Sequence, residues 1–587
     1  RNFLGAGSLV TAVSHPYLRE GFARKGLVQM EKTKLFPEIF DEKRRDIILH
    51  HPAYEAFRKD LADAYKKSCE ADIKPLCYEL FRLFRENGSR IEYEKDYFLR
   101  RMVLNSCFLT HLLYGDDDSL RRLENIIMLI CDEYTWALPA HVNDLDDSES
   151  VGTFIDLFAA ETGQALSEVY YVLGDKLCER VASRIRHEVD RRIIRSFVNT
   201  RFDFEQADNN WAAVCGGSVG IAFIYMAPEK VPLIRERLRT CFKCYLAPFG
   251  NDGACVEGCA YWFYGFGYYL CFDELYHDFT GEYLIEPDEK IKNIAMFFQK
   301  VHISGSTVVN FADCDEHEMV ICGMLYKLRE RYGDAIELPD SYAMPIGDSS
   351  CYRFAICVRS FFWSRLEEDT AGGEHRESVA FLPDAQWYIK KNKKFLFAAK
   401  GGNNGESHNH NDLGGFLVSD YQSQLIADLG CGEYTKQYFM PEKRYSYLCC
   451  SSLGHSVPII DGKPQQAGLE FTAKILHYDD NSFELDLSGA YESEARIIRR
   501  FDIDEDGVTL TDSVSGAKSW TQRLISKIKP EPAEGGVRVG KMLIKSDAAV
   551  KISEDSMATH SFEHEVIPVY FIDFEPTGGE NAIRLEF

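Results

Sequence analysis

Between Gly401 and Gly468 the chain gathers three of its 16 histidines, His408, His410 and His455. Asn403, Asn404, Glu406, Asn409, Asn411 and Asp412 crowd around the first two. So many polar groups make poor packing, because each one, if buried, needs a partner. Beyond them Gly414–Val418 and Gln424–Asp428 alternate as two strands joined near Ser419–Ser423. His410, Asp428 at the end of the second strand, and His455 ahead of Val457–Ile460 thus arrive on separate segments. Neutral imidazole nitrogen and carboxylate oxygen both suit zinc. On spacing alone a metal site and a hydrogen-bonded loop stand level. Histidines two apart point to the same side of a strand, so the pair shares a task or divides it. Setting Asp428 against His410 requires a bend at Gly414–Gly415 or a bulge.

Three further stretches carry reactive types. Asp208-Asn209-Asn210-Trp211 opens a helix running through Val214 to Tyr225, and taken singly it is an N-cap. The turn Asn251-Asp252-Gly253 leads into Glu257-Gly258-Cys259-Ala260-Tyr261-Trp262-Phe263-Tyr264, and such an aromatic run is more often core than catalyst. Tyr134-Thr135-Trp136-Ala137-Leu138-Pro139-Ala140-His141 offers Trp136 as a sugar platform and His141 as a subsite contact, with structural packing weighed equally.

The elements that must position these groups fall into two textures. Apolar positions recur with helical period through Pro52–Leu83, Tyr97–Leu113, Leu120–Leu138, Phe154–Leu166, Leu177–Phe197, Val214–Met226, Val231–Cys244 and Ala260–Phe279. From Val379 onward short β-branched and aromatic runs, punctuated by Gly, Asp and Asn turns, predict an antiparallel β-sandwich of stacked sheets. A chain of 587 residues needs more than one core. We place a helical domain at 1–345 and a β domain at 346–587. A net charge of −25 excludes a nucleic-acid partner, which calls for a basic face, and disfavours long, heavily sulfated polyanions. No apolar run reaches the roughly 18 residues of a membrane span, so no membrane partner is expected. The 18 cysteines lack framework spacing, and pairs such as Cys449–Cys450 fit reduced thiols, which predicts a cytoplasmic location. The absence of an initiator Met leaves room for a removed upstream segment. A homo-oligomer is compatible with the chain.

Four features together resemble the C-terminal signature of the heparinase II/III family of polysaccharide lyases. They are the Ser-His-Asn-His-Asn-Asp-x-Gly run from Ser407, Asp-x-Gly at Asp428, Arg444–Tyr445, and Ser-x-x-x-His ahead of Asp461–Gly462. The resemblance implies an incomplete α/α toroid followed by the β-sandwich. It also implies an enzyme that cuts a uronic-acid-containing polysaccharide or oligosaccharide by β-elimination, leaving an unsaturated uronyl end. It assigns one structural zinc ion to His410, Asp428 and His455, and turns His408 to the cleft. Asn210, with Asn209 as its alternative, would neutralise the substrate carboxylate, where charge develops in the transition state. Asp-Gly-x-x-x-Glu-Gly-x-x-Tyr resembles the segment bearing a catalytic tyrosine, which gives Tyr261, with Tyr264 one turn on as the fallback. His408 or Tyr261 would be the base, and Tyr445 is a second catalytic phenol. Glu257, Arg444, Trp136 and His141 would bind substrate. The family carries Asn-His where this chain has Asn210-Trp211, so no histidine role transfers there. The rivals are a toroid glycoside hydrolase using Glu257 and Asp252, zinc-activated water with Glu406 as base, and a non-catalytic carbohydrate-binding protein.

Overall fold

The computed structural model describes residues 34–142, 144–368, 377–559 and 565–587. Antiparallel helices fill the first half. At its centre Asn210–Met226 is buried from Ala212 to Tyr225, because NWAAVCGGSVGIAFIYM has no polar face. Helices Leu157–Leu173, Val231–Leu246 and Gly267–Thr280 pack around it. Gly220 permits the closest of these approaches: a Cβ there would lie 2.3 Å from the Phe272 ring. The helix expected over Pro52–Leu83 breaks instead, stopping at Glu70 and resuming at Tyr78. Pro75 lies in the gap, lacks an N–H and biases Lys74 away from helical angles.

The helical half also runs past the expected boundary at 345. Phe354–Phe362 is a buried helix packed on Ile91–Tyr114 and Leu157–Leu173. Its Arg359 meets both oxygens of Glu168 at 3.1 Å. FAICVRSFF is apolar nearly all round, and that burial on every side hides its helical period. The first strand of the β half starts only at Ser378.

Three large antiparallel sheets and one two-stranded ribbon, Asn403–Asn404 with Gly468–Thr472, build the β half. Five strands (Ser378–Leu382, Trp387–Lys391, Leu396–Lys400, Phe416–Ser419 and Gln424–Ile426) pair in chain order. The hairpin expected across Ser419–Ser423 is present. An eight-stranded sheet, with Arg496–Ile503 and Gly507–Ser515 near its middle, stacks on this one, and a four-stranded sheet adds Pro458–Ile460 and Trp520–Ser526.

The five-stranded sheet has no solvent face. Trp387, Ile389, Leu396, Ala398 and Leu417 join the core of the helices, whereas Tyr388, Phe397, Ala399, Phe416 and Val418 join that of the eight-stranded sheet. Period-two alternation along each strand delivers one set to each layer, which is why consecutive apolar residues recur there, as in Trp387–Ile389, Leu396–Ala399 and Phe416–Val418.

Candidate active site at the seam of the two halves

Asp313 occupies the centre of the seam. It follows the short strands His302–Ser304 and Thr307–Val308 that interrupt the helical half, and is 2% exposed. Its four partners all come from the β half. His408 Nδ1 lies 2.7 Å from Oδ2, His410 Nε2 2.9 Å from Oδ1, the Tyr438 hydroxyl donates to Oδ1 at 2.6 Å, and Arg444 Nη2 donates to Oδ2 at 2.9 Å. Burial alone would lift this carboxyl. The bonds from His408 and His410, and the charges of His410 and Arg444, overcome it and hold the group far below the usual carboxylate range.

The segment carrying Asp313 is fixed to the β half. Asn310 donates from Nδ2 to the Asp428 carbonyl at 3.2 Å, and its Oδ1 accepts from Gln424 Nε2 at 2.8 Å. Gly430, at φ +65°, brings its α-carbon so close to Cys314 that a Cβ would lie 2.4 Å from that carbonyl. From the other side Arg499, fully buried between both oxygens of Asp512, donates to the carbonyls of Gly414 at 2.7 Å and Ser456 at 2.6 Å. One guanidinium therefore steadies the ends of the two segments that bear His408, His410 and His455.

Tyr261 reaches the seam from the helical half. Its hydroxyl lies 3.3 Å from His408 Nδ1 and 3.1 Å from the Tyr434 hydroxyl, with the Tyr261 and His408 rings 4.3 Å apart. Burial first, and then Asp313, push this phenol well above its ordinary value. His408 itself adopts φ +56°. With Nδ1 held by Asp313, its Nε2 takes no protein partner among the described residues.

Tyr261 also lines a pocket of about 330 Å³ with Asp208, Asn209, Asn210 and Glu257. There the two asparagines separate. Asn209 is the N-cap, accepting from Trp211 N at 3.1 Å, while the buried Asn210 begins the helix and keeps its amide for the pocket. Glu257 is 9% exposed, its Oε2 has no protein partner, and burial pushes it up to about 7 against the pull of His408.

The three expected zinc ligands fall in two neighbouring donor groups, His410 with Asp313 and Cys450, and Asp428 and His455 with Asp412. His410 Nε2 is engaged by Asp313, which leaves Nδ1 buried and without a partner. His455 Nε2 lies 2.6 Å from the Cys449 carbonyl, leaving Nδ1 3.3 Å from Asp428 Oδ2. The two imidazoles are 5.4 Å apart. A partner on the far ring nitrogen is the usual support of a metal-binding histidine. Donor atoms of Asp412 also fall within 4.8 Å of those of Asp428 and His455, and those of Cys450 and Asp313 within 4.8 Å of His410.

Several expectations are corrected. Trp136 is no sugar platform: it is 1% exposed, donates to Ile130 O at 2.9 Å and lies under Arg192. Arg444 binds Asp313 and the Asn409 carbonyl, not substrate. Tyr445 packs against the cluster of Leu429, Cys449 and Phe571, and the phenols at the seam are Tyr434 and Tyr438. Tyr264 gives its hydroxyl to Glu161 at 2.5 Å, so the fallback to Tyr261 falls away. Asp252 accepts backbone N–H from Ala254, Asp384 and Ala385, which commits it to a turn. Glu406 accepts from Asn403 at 3.2 Å and is not among the donor atoms grouped near His410, Asp428 or His455. His141, by contrast, stays half-buried, held by Asp156 at 2.6 Å and edge-on to Trp211, which is compatible with its expected subsite contact. The residues not foreseen are Asp313, Tyr434, Tyr438 and Trp211. Their one sequence signal is the crowding of Asp313, Asp315, Glu316, His317 and Glu318.

Residues 374–531 match the family described as heparinase II/III-like, C-terminal. That match takes in the first strands of the β half and the three histidines of the seam. No curated sequence matches the chain. Among solved structures it is similar to heparinase III, at 12% identity and TM-score 0.57 over 85% of this chain and 78% of that one. A variant of heparan sulfate lyase HepC from Pedobacter heparinus gives 12% and 0.54 over 92% of each chain. A chondroitin AC lyase from Streptomyces coelicolor gives 9% and 0.52 over 94% of this chain and 82% of that one. These likenesses extend beyond residues 374–531 and establish the architecture, an α/α toroid followed by an antiparallel β-sandwich.

Proposed function

We propose that this protein is a polysaccharide lyase that cleaves beside a uronic acid by β-elimination. The contact of Tyr261 with His408 across the seam, in the pocket wall shared with Asn210 and Glu257, carries this reading. The base removes the proton α to the carboxylate, the electron pair becomes the ring double bond, and the glycosidic oxygen leaves with a proton. Asn210 donates its amide to the substrate carboxylate, and Glu257, protonated below pH about 7, adds a second neutral donor. Tyr261, with its phenol pushed upward, stays protonated and suits the leaving oxygen. His408 suits the base, because Asp313 holds Nδ1 and frees Nε2. One zinc ion on His410, Asp428 and His455 would supply a fixed anchor for the loop bearing His408. Heparinase III, a heparan sulfate lyase and a chondroitin AC lyase share the fold, which supports an acidic polysaccharide as substrate.

The test is ultraviolet absorbance of uronic-acid polysaccharides and oligomers incubated with the protein and with His408→Ala. A rise that the variant lacks is expected. New reducing ends without absorbance would sink elimination and favour hydrolysis by Glu257 with Asp208, the other carboxylate of the pocket.

A further inference from the structure

Other buried arginines here each pair with a carboxylate at hydrogen-bond distance. Arg101 meets Glu133 at 2.6 and 2.9 Å, Arg359 meets Glu168, and Arg499 meets Asp512. Arg353 differs. Its guanidinium lies 3.8 Å over the Tyr264 ring and 5.8 Å from that of Phe158, and it donates no hydrogen bond among the described residues. Its nearest carboxylate is Glu161, 3.8 Å from Nε and beyond hydrogen-bond reach. Each Glu161 oxygen instead accepts a tyrosine hydroxyl, Oε1 from Tyr264 at 2.5 Å and Oε2 from Tyr268 at 2.8 Å. A guanidinium over an aromatic face, with no N–H hydrogen bond and its side chain 21% exposed, is poised for a planar anion.

The surroundings are tied to the reaction pocket through two of its lining segments. Trp211 follows Asn210, and Tyr264 lies one turn beyond Tyr261. His141 meets Trp211 edge-on at 4.9 Å and lies parallel to Phe158 at 6.1 Å, while Asp156 fixes its Nδ1. Trp211, His141, Tyr264 and Arg353 are half-buried, whereas the helix beyond Trp211 is enclosed. In a chain of net charge −25, such a site is a local exception to an unfavourable field.

We propose that Arg353, Tyr264, His141 and Trp211 form a second sugar subsite, in which Arg353 takes a carboxylate or sulfate on a unit neighbouring the one cleaved. This rests on the acidic-polysaccharide reading above. The rings supply apolar faces for a pyranose, and Arg353 selects a charged unit over a neutral one.

The experiment is calorimetric binding of hyaluronan, chondroitin sulfate and heparan sulfate tetrasaccharides to the full chain carrying Tyr261→Phe, with and without Arg353→Gln or Arg353→Lys. Arg353→Gln should weaken the tetrasaccharide that binds by roughly tenfold or more, and Arg353→Lys by less. The disaccharide, too short to span both sites, should not respond. Removing sulfate from the tetrasaccharide will reproduce the loss if sulfate is the anion, and reducing its carboxyl groups will do so if carboxylate is. Unchanged tetrasaccharide affinity in Arg353→Gln, with its melting temperature retained, overturns the subsite. Arg353-dependent binding without turnover by the chain bearing Tyr261 would keep the subsite and remove the lyase reading. No binding of any tetrasaccharide removes both.

Discussion

Tyr261 and His408 each meet the other's ring, yet they stand under different constraints. The Tyr261 phenol is pushed upward by burial and by Asp313, so losing its proton is costly and giving it is not. Tyr261→Phe should therefore lower kcat by about 10²–10⁴-fold and leave the melting temperature nearly unchanged, measured by absorbance assay and calorimetry. Glu257 sets a pH dependence of stability. Its folded value of about 7 lies above the ordinary 4.5, so the folded chain holds this proton more tightly than the unfolded one. Its stabilising share is complete below pH about 4.5 and falls as pH rises to about 7, by up to roughly 3 kcal/mol. Glu257→Gln should flatten that slope in urea denaturation at pH 5 and pH 8, and a slope left unchanged would contradict the assignment.

The loop from Gly405 to Leu413 and the turn into His455 keep their places through Arg499. Arg499→Met leaves Asp512 buried and unpaired, which should cost about 3–5 kcal/mol in denaturant unfolding, with loss of activity. Adding Asp512→Leu should restore much of the stability but not the activity, because the carbonyls of Gly414 and Ser456 stay without their donor. This is also the scale at which the sequence is most and least readable. His408, His410, Asp428 and His455 lie within one stretch, so type and spacing reveal them together. Asp313 stands 95 residues before His408, and only the docking of the halves gives it a role. Trp136 and Trp211 are alike as letters. Packing against Ile130 and Arg192 buries the first, and the opening of a helix leaves the second half-exposed. The helix Phe354–Phe362 escaped recognition because a helix buried on every side has no polar stripe to mark its period.

At the scale of the whole molecule, the five-stranded sheet belongs to both cores. A fragment of residues 377–587 would expose Trp387, Ile389, Leu396 and Leu417 to water, and it should aggregate or bind a hydrophobic dye where the full chain does not. Metal dependence should likewise be global. Chelation or His410→Ala should lower the melting temperature and remove about one equivalent of zinc, a loss on the order of 4 kcal/mol at metal a thousandfold above its dissociation constant. His408→Ala should keep both metal and melting temperature, as elemental analysis and calorimetry can check. Asp313 adds one consequence for how such a molecule can be recombined. It lies in the helical half by chain order, but His408, His410, Tyr438 and Arg444 all grip it from the other side. A chimera spliced at the start of the first β strand would give those four residues a stranger's carboxylate. The exchangeable module begins before His302, and a splice there keeps Asp313 with its four partners, while Tyr261 must still be matched from the other parent.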